Sequence, residues 1–152
     1  MGGIKRKLKS QGRVKKMIKI IEFALVSKKR IEMIDITAQV VKYIAEYKLK
    51  NGFVKVFIPH TTVGLTINEN SDPYVQRDMM NALSELIPES SNFYHVEGNS
   101  DAHLKSSLFG VDLDVLVENG KIKLGTWQSI YFCEFDCPRS RKVFIQLFGE
   151  GT

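Results

Sequence analysis

The sequence holds only two cysteines and three histidines in 152 residues, and no apolar run approaches the length of a membrane span. Two cysteines cannot build a disulfide framework. Cys133 and Cys137 form no CxxC pair, and on an extended chain residues four apart lie about 13 Å from each other, too far to bridge. They read as reduced and structural. The most apolar stretch, residues 17–26, is broken by Lys19 and Glu22, so it is neither a spanning helix nor a signal-peptide core. A cytoplasmic location is the expectation, with no membrane partner. The chain is also short of the roughly 250 residues of a (β/α)₈ barrel. What remains is one ordinary domain, 43% hydrophobic and 26% charged.

Acidic residues are missing altogether from residues 1–16, which hold seven of the 22 Lys and Arg. The other 136 residues carry 15 basic and 17 acidic side chains, a net of −2, so the overall charge of +5 belongs to the tail. The tail has no apolar period and no interleaved aromatics. It reads as a disordered extension, and residues 17–152 as a single domain. Weak electrostatic contact with nucleic acid through this arm is the only nucleic-acid binding the sequence suggests.

Strands are expected over residues 17–27, 53–59, 63–68, 111–118, 121–124, 130–135 and 142–148, where β-branched and aromatic residues alternate or cluster. Lys28, Lys29 and Arg30 read as a solvated turn. Ile36, Val40, Val41, Ile44 and Tyr47 recur at helical spacing behind a cap at Asp35 or Thr37, with Asn51-Gly52 as the stop. A second helix starts at Asp72-Pro73, a cap followed by proline at the first helical position, and stops at Pro88. Residues 102–109 form a short third helix. Asn119-Gly120 is a two-residue hairpin signal. Many strands and few helices, without regular alternation, make an α+β protein: a sheet pair with two to three helices outside.

All three histidines fall between His60 and His103, with His95 and His103 bracketing Glu97-Gly98-Asn99-Ser100-Asp101. Three neutral imidazoles with an open fourth position suit a catalytic zinc ion, although the spacing matches neither HExxH nor a zinc finger. Separate surface or core histidines are the plainer alternative. At least two of the three rings are expected to converge on a site for a divalent ion or, without metal, for phosphate or sulfate. Glu69, Glu97 and Asp101 suit Mg²⁺ carried on a diphosphate, with Asn99, Ser100 and Lys105 as donors to phosphate oxygens. A solvated turn with a helix cap explains Asn99 and Ser100 equally well. Trp127, the sole tryptophan, is either buried structure or a ligand wall beside Gln128. Arg139 and Arg141 suit phosphate or carboxylate, and a charge cluster on a turn face explains them equally well. No organic cofactor is called for.

These residues resemble the YjbQ family, a group long uncharacterised and later called secondary thiamine-phosphate synthases. The resemblance is carried by Pro59-His60-Thr61-Thr62-Val63-Gly64-Leu65-Thr66-Ile67-Asn68-Glu69, by Glu97-Gly98-Asn99-Ser100-Asp101-Ala102-His103-Leu104-Lys105, by Gly125-Thr126-Trp127-Gln128 and by Glu134-Phe135-Asp136-Cys137-Pro138-Arg139. Cys137 stands where the family commonly has glycine. The resemblance implies a seven-stranded β-sandwich with helices, assembled as a homotrimer, with a pocket near a subunit boundary. It implies an activity that joins hydroxymethylpyrimidine diphosphate to thiazole phosphate and releases pyrophosphate. On that reading Glu97, Asp101 and Asn99 are catalytic, the carboxylates binding metal or moving protons and Asn99 orienting substrate. His60, His95 and His103 hold zinc, magnesium or an anion. Asn68, Glu69, Lys105, Trp127, Gln128 and Arg139 bind a small phosphorylated substrate. A zinc-dependent hydrolase and a trimeric binding protein without turnover are the alternatives.

Overall fold

In the computed structural model, which describes residues 14–90, 92–136 and 138–152, alternation along the strands decides the layers. The chain runs β1 (Lys15–Val26), β2 (Glu32–Asp35), α1 (Thr37–Glu46), β3 (Leu49–Phe57), β4 (Val63–Glu69), α2 (Pro73–Leu86), α3 (Ser100–Phe109), β5 (Asp112–Glu118), β6 (Lys121–Ile122), β7 (Gln128–Glu134) and β8 (Ser140–Gly151). One sheet has the order β1-β8-β3-β5-β6 and the other β2-β7-β4. Every pairing is antiparallel. The protein is thus α+β, with three helices and eight strands among the described residues.

On β8 the residues Arg141, Val143, Ile145 and Leu147 are buried in alternation, so one face of that strand looks inward. Val143, Ile145 and Leu147 share a core with Val54 and Val56 of β3, Val115 and Val117 of β5, and Val63, Leu65, Ile130 and Phe132 of the smaller sheet. Val40 and Ile44 of α1 join the same core. β7 is buried almost continuously because both of its faces are covered. Its second face, with Tyr131 and Cys133, packs with Ala102, Met80, Leu83 and Phe109 from α2 and α3. Burial pushes the Cys133 thiol up to about 12, which leaves it inert.

Several boundaries differ from the sequence reading. β1 starts at Lys15, and Lys15 and Lys16 pair with Gly151 and Glu150, so two residues assigned to the tail are strand. Residues 1–13 lie outside the described residues, as does Cys137. β2 is an eighth strand in a stretch where no element was expected, just after the turn at residues 28–30. It is only four residues long and is held by pairing to β7. Asn51-Gly52 does not stop α1. The helix ends at Glu46 with Tyr47 as its C-cap, Lys48 takes the left-handed turn with φ 55°, and β3 has begun by Leu49.

Gly52 is needed for a different reason. It pairs with Gly149 of β8, and a Cβ at Gly52 would lie 2.0 Å from the Phe148 carbonyl oxygen. The Asn119-Gly120 hairpin forms as read, with φ of 52° and 76°. Asp72 caps α2 by accepting the Tyr74 N–H at 2.9 Å. Among the described residues no helix is long and apolar enough to cross a membrane.

Candidate functional site

A polar pocket of ≈ 250 Å³ opens where β4 begins, β7 ends and β8 begins. Its base is a buried ion pair. Glu134 has no solvent exposure and closes β7, and Arg141 stands just inside β8. Arg141 donates from Nε to Glu134 Oε2 at 2.8 Å and from Nη2 to Oε1, and Nη2 also reaches Thr62 Oγ1 at 2.9 Å. Ser27 Oγ donates to Oε2 at 2.8 Å, and the N–H groups of Phe135 and Asp136 donate to Oε1 at 3.1 and 3.0 Å. A buried carboxylate tolerates its desolvation only with this kind of satisfaction. Glu134 is therefore an anchor that fixes the walls, with no lone pair left for a ligand.

Asp136, also buried, organises the next layer. Its Oδ2 accepts from Asn99 Nδ2 at 3.0 Å and from Arg139 Nη2 at 3.1 Å, and its Oδ1 accepts from Arg30 Nη1 at 3.4 Å. Arg30 continues to Asp101 Oδ1 at 3.0 Å, and Asp101 Oδ2 receives Lys105 Nζ at 2.7 Å one helical turn on. Arg30 also pairs with Glu89 at 3.2 Å. What reads as a solvated turn residue is thus a hub for three carboxylates. The sequence carries no sign of it, since three consecutive basic residues look alike until one is covered.

The histidines gather at the same mouth. His60 and His103 both line the pocket, and the rings of His95 and His103 meet edge to face with centroids 5.4 Å apart. His60 Nε2 accepts the Lys142 backbone N–H at 2.9 Å, so the neutral ring carries its proton on Nδ1. Burial, then the Arg141 charge, hold the His60 pKa below its ordinary value. His95 Nε2 stands 3.9 Å from Glu97 Oε2, a long and exposed pairing.

The zinc arrangement expected of the three histidines is not formed. Among the described residues no group of three or more His, Cys, Asp or Glu could hold a metal ion, and the Nε2 atom of His60 is already taken.

Of the other expected site residues, Glu97, Asn99 and Arg139 line the pocket. Asp101 and Lys105 do not. Both are buried: Lys105 is committed to Asp101, and Asp101 to Lys105 and Arg30. Asn68, Glu69, Trp127 and Gln128 sit at the opposite end of the β4–β7 ladder, where Glu69 pairs with Gln128, whereas Val63 pairs with Glu134 at the pocket end. Six residues of strand put the two ends about 20 Å apart. There Gln128 Oε1 accepts the Gly125 N–H at 2.8 Å and closes a turn, and Asn68 Oδ1 accepts the Glu69 N–H at 2.8 Å. Trp127 is 64% exposed, which overturns the buried-tryptophan alternative.

Sequence reading missed Asp136 and Thr62 as pocket residues and left Arg141 open between an anion ligand and a turn-face charge. A lone Glu in an otherwise apolar strand, with Arg141 seven residues on, was the available signal for the buried pair.

Residues 21–150 match the family described as UPF0047 protein YjbQ-like. The chain belongs to this family. It is 47% identical over 131 residues to a UPF0047 protein of Methanocaldococcus jannaschii, covering 86% of this chain and 95% of the relative. It is 50% identical over 122 residues to the UPF0047 protein YugU of Bacillus subtilis, covering 80% and 92%. A crystal structure of an uncharacterised YjbQ/UPF0047 protein from Clostridium acetobutylicum superposes with a TM-score of 0.81 at 51% identity, covering 82% of this chain and 97% of that one. These UPF0047 relatives carry no stated activity in their names, so the chemistry has to come from the pocket.

Proposed function

We propose that the pocket is the active site of a transferase that handles a small phosphorylated substrate, and that the reaction is the family-implied synthesis of thiamine phosphate. The observation that carries this reading is the set of hydrogen-bond donors around one opening. Arg139 is about half exposed and gives only Nη2 to Asp136. The Thr62 hydroxyl accepts from Arg141 and so keeps its own proton to donate, and His60 keeps a proton on Nδ1. Phosphate oxygens are acceptors and match that lining.

In the proposed reaction the C–O bond to the diphosphate of the hydroxymethylpyrimidine breaks and pyrophosphate leaves with the electron pair. The thiazole nitrogen supplies the pair for the new C–N bond. Arg139, Thr62 and His60 hold the leaving group, whose growing charge fixed donors stabilise better than water does. His103 and Glu97, both lining the opening, are the groups able to move a proton to it. No step is routed through a protein-held metal. A pocket of ≈ 250 Å³ is small beside the usual roughly 300–1,000 Å³ of ligand sites, so one chain encloses the diphosphate end and leaves the rings outside it.

The test is purified protein with both precursors and Mg²⁺ as counter-ion of the diphosphate. Thiamine phosphate and pyrophosphate should form, and should be lost in Arg139→Ala and His103→Ala. Pyrophosphate binding without turnover would leave the reading of a binding protein. We also infer a cytoplasmic homotrimer. Ile18, Ile20, Phe148 and Leu116 are exposed on the larger sheet, an apolar surface suited to burial between copies. Sedimentation equilibrium checks the assembly.

A further inference from the structure

We infer that the pocket selects phosphates whose next group is a flat aromatic ring, and that the His95 and His103 rings at its rim are the surface on which that ring stacks. The inference rests on the phosphate reading above and adds the residues that read the part of the ligand left outside the pocket.

Burial along the lining gives the pocket a floor and a rim. Arg141, Thr62 and Asp136 are buried, whereas Thr61, Glu97 and Arg139 are exposed. His103, on the first turn of α3, is half-buried between the two levels. His95 stands outside the lining but borders it twice. Its ring meets the His103 ring with centroids 5.4 Å apart, and its Nε2 lies 3.9 Å from Glu97 Oε2. A turn in which the Gly98 N–H donates to the His95 carbonyl at 3.1 Å sets the backbone there. The neighbours Tyr94 and Val96 are wholly in solvent, while His95 is turned against His103 and keeps 43% of its side chain open. A group leaving the pocket past His103 and Glu97 therefore meets an uncovered imidazole surface.

The planes of the two rings stand 76° apart, so together they form a corner. An aromatic ring seated in it lies parallel to one imidazole and edge-on to the other, and both arrangements are favoured. A saturated ring offers neither the π-face nor the flat profile, although it carries at least as much apolar surface. Simple burial would thus favour the saturated ring, and stacking the aromatic one. His60, the third histidine, is unsuited to this role, because its Nε2 is tied to the Lys142 N–H and its Nδ1 proton is assigned above to the leaving group. Because ≈ 250 Å³ accommodates the diphosphate end alone, a ring one carbon further on comes to the rim.

The experiment titrates benzyl diphosphate and cyclohexylmethyl diphosphate, equal in charge and nearly equal in size, calorimetrically into the full chain, with pyrophosphate as reference. Benzyl diphosphate should bind about fivefold more tightly than its saturated counterpart. That preference should vanish in His95→Ala and return in His95→Phe, while pyrophosphate binds all three proteins alike. Equal affinity for the two esters in the wild type, with pyrophosphate still bound, would overturn the ring inference and leave the phosphate pocket standing. No binding of any of the three would remove both. A preference that persists in His95→Ala would show that another surface reads the ring, and failure of His95→Phe to restore it would refute stacking. Should the variants fail to fold, the imidazole proton resonances of wild-type His95 and His103 decide the matter. They should move with benzyl diphosphate, through its ring current, well beyond any shift with the cyclohexylmethyl ester, and equal shifts would refute the assignment.

Discussion

The two ends of the β4–β7 ladder both carry dense polar motifs, yet they use them differently. At the end where Val63 pairs with Glu134, the charged groups are drawn inward: Glu134 and Asp136 are buried and Arg141 closes over them. Their partners come from the start of the chain, from the α2–α3 connection and from β8, and a pocket is left between. At the end where Glu69 pairs with Gln128, several side chains close on near neighbours in sequence, and Asn70 Nδ2 reaches Ser129 Oγ at 2.6 Å within the same ladder. Gln128 bonds Gly125, Asn68 bonds Glu69, and Ser71 donates to Glu69 Oε1 at 3.1 Å. Near-neighbour bonds close turns and leave no cavity, whereas partners brought from several elements hold walls apart. The lesson is that motif density marks where side chains are constrained, and only the origin of their partners tells a site from a turn.

The largest expected effect tests whether the pocket end stands on buried charge. Arg141→Met strands Glu134 without its counter-charge, and urea unfolding should show a loss of about 3–5 kcal/mol. A change below about 1 kcal/mol would mean the ion pair is not the foundation. Next comes Arg139→Met. Its pair with Asp136 is about half exposed and adds little to stability, so the melting temperature should hold while pyrophosphate affinity falls about tenfold by calorimetry.

At the opposite end Gln128→Ala loses one turn bond, a loss of about 1 kcal/mol. Together with Trp127→Ala it should leave pyrophosphate affinity within about twofold, because the sites are far apart. A large fall in affinity would show that both ends serve one ligand. The smallest effect is the pH response of His60. Its folded-state pKa lies below the ordinary 6.5, so the unfolded chain takes the proton first. Stability from this group is present above pH 6.5 and declines as pH falls toward and through the depressed value. Chemical denaturation at about pH 8 and about pH 5 should show a smaller acid loss in His60→Gln than in wild type.

Much of the framework could be read from neighbouring residues. Alternation marked most of the strands, Asp72-Pro73 marked the start of α2, and Asn119-Gly120 marked a hairpin whose residues both take positive φ. Such signals are legible because a turn or a cap is settled by torsions and bonds within a few positions. Gly52 was misread for the same reason: next to Asn51 it looks like a helix stop, and only the crossing of β3 and β8 shows that its missing side chain makes room for Gly149. The short strand β2 was illegible because its pairing with β7, not its own composition, makes it a strand.

For the candidate site, the sequence by itself determined which residue types were available: histidines within one segment, arginines after β7, an Asn and acids ahead of α3. The tertiary structure decided which of them face a ligand. It buried Asp101 and Lys105, left Trp127 and Gln128 on a distant turn, and raised Arg30, Thr62 and Asp136 to structural importance. The bonds that made these decisions join residues 71, 82 and 107 positions apart: Arg30 to Asp101, Lys142 to His60, and Ser27 to Glu134. A charged side chain behaves as a solvated group or as an anchor according to whether its partner is covered with it, and that is fixed by the register of β4, β7 and β8 rather than by any neighbour in the sequence.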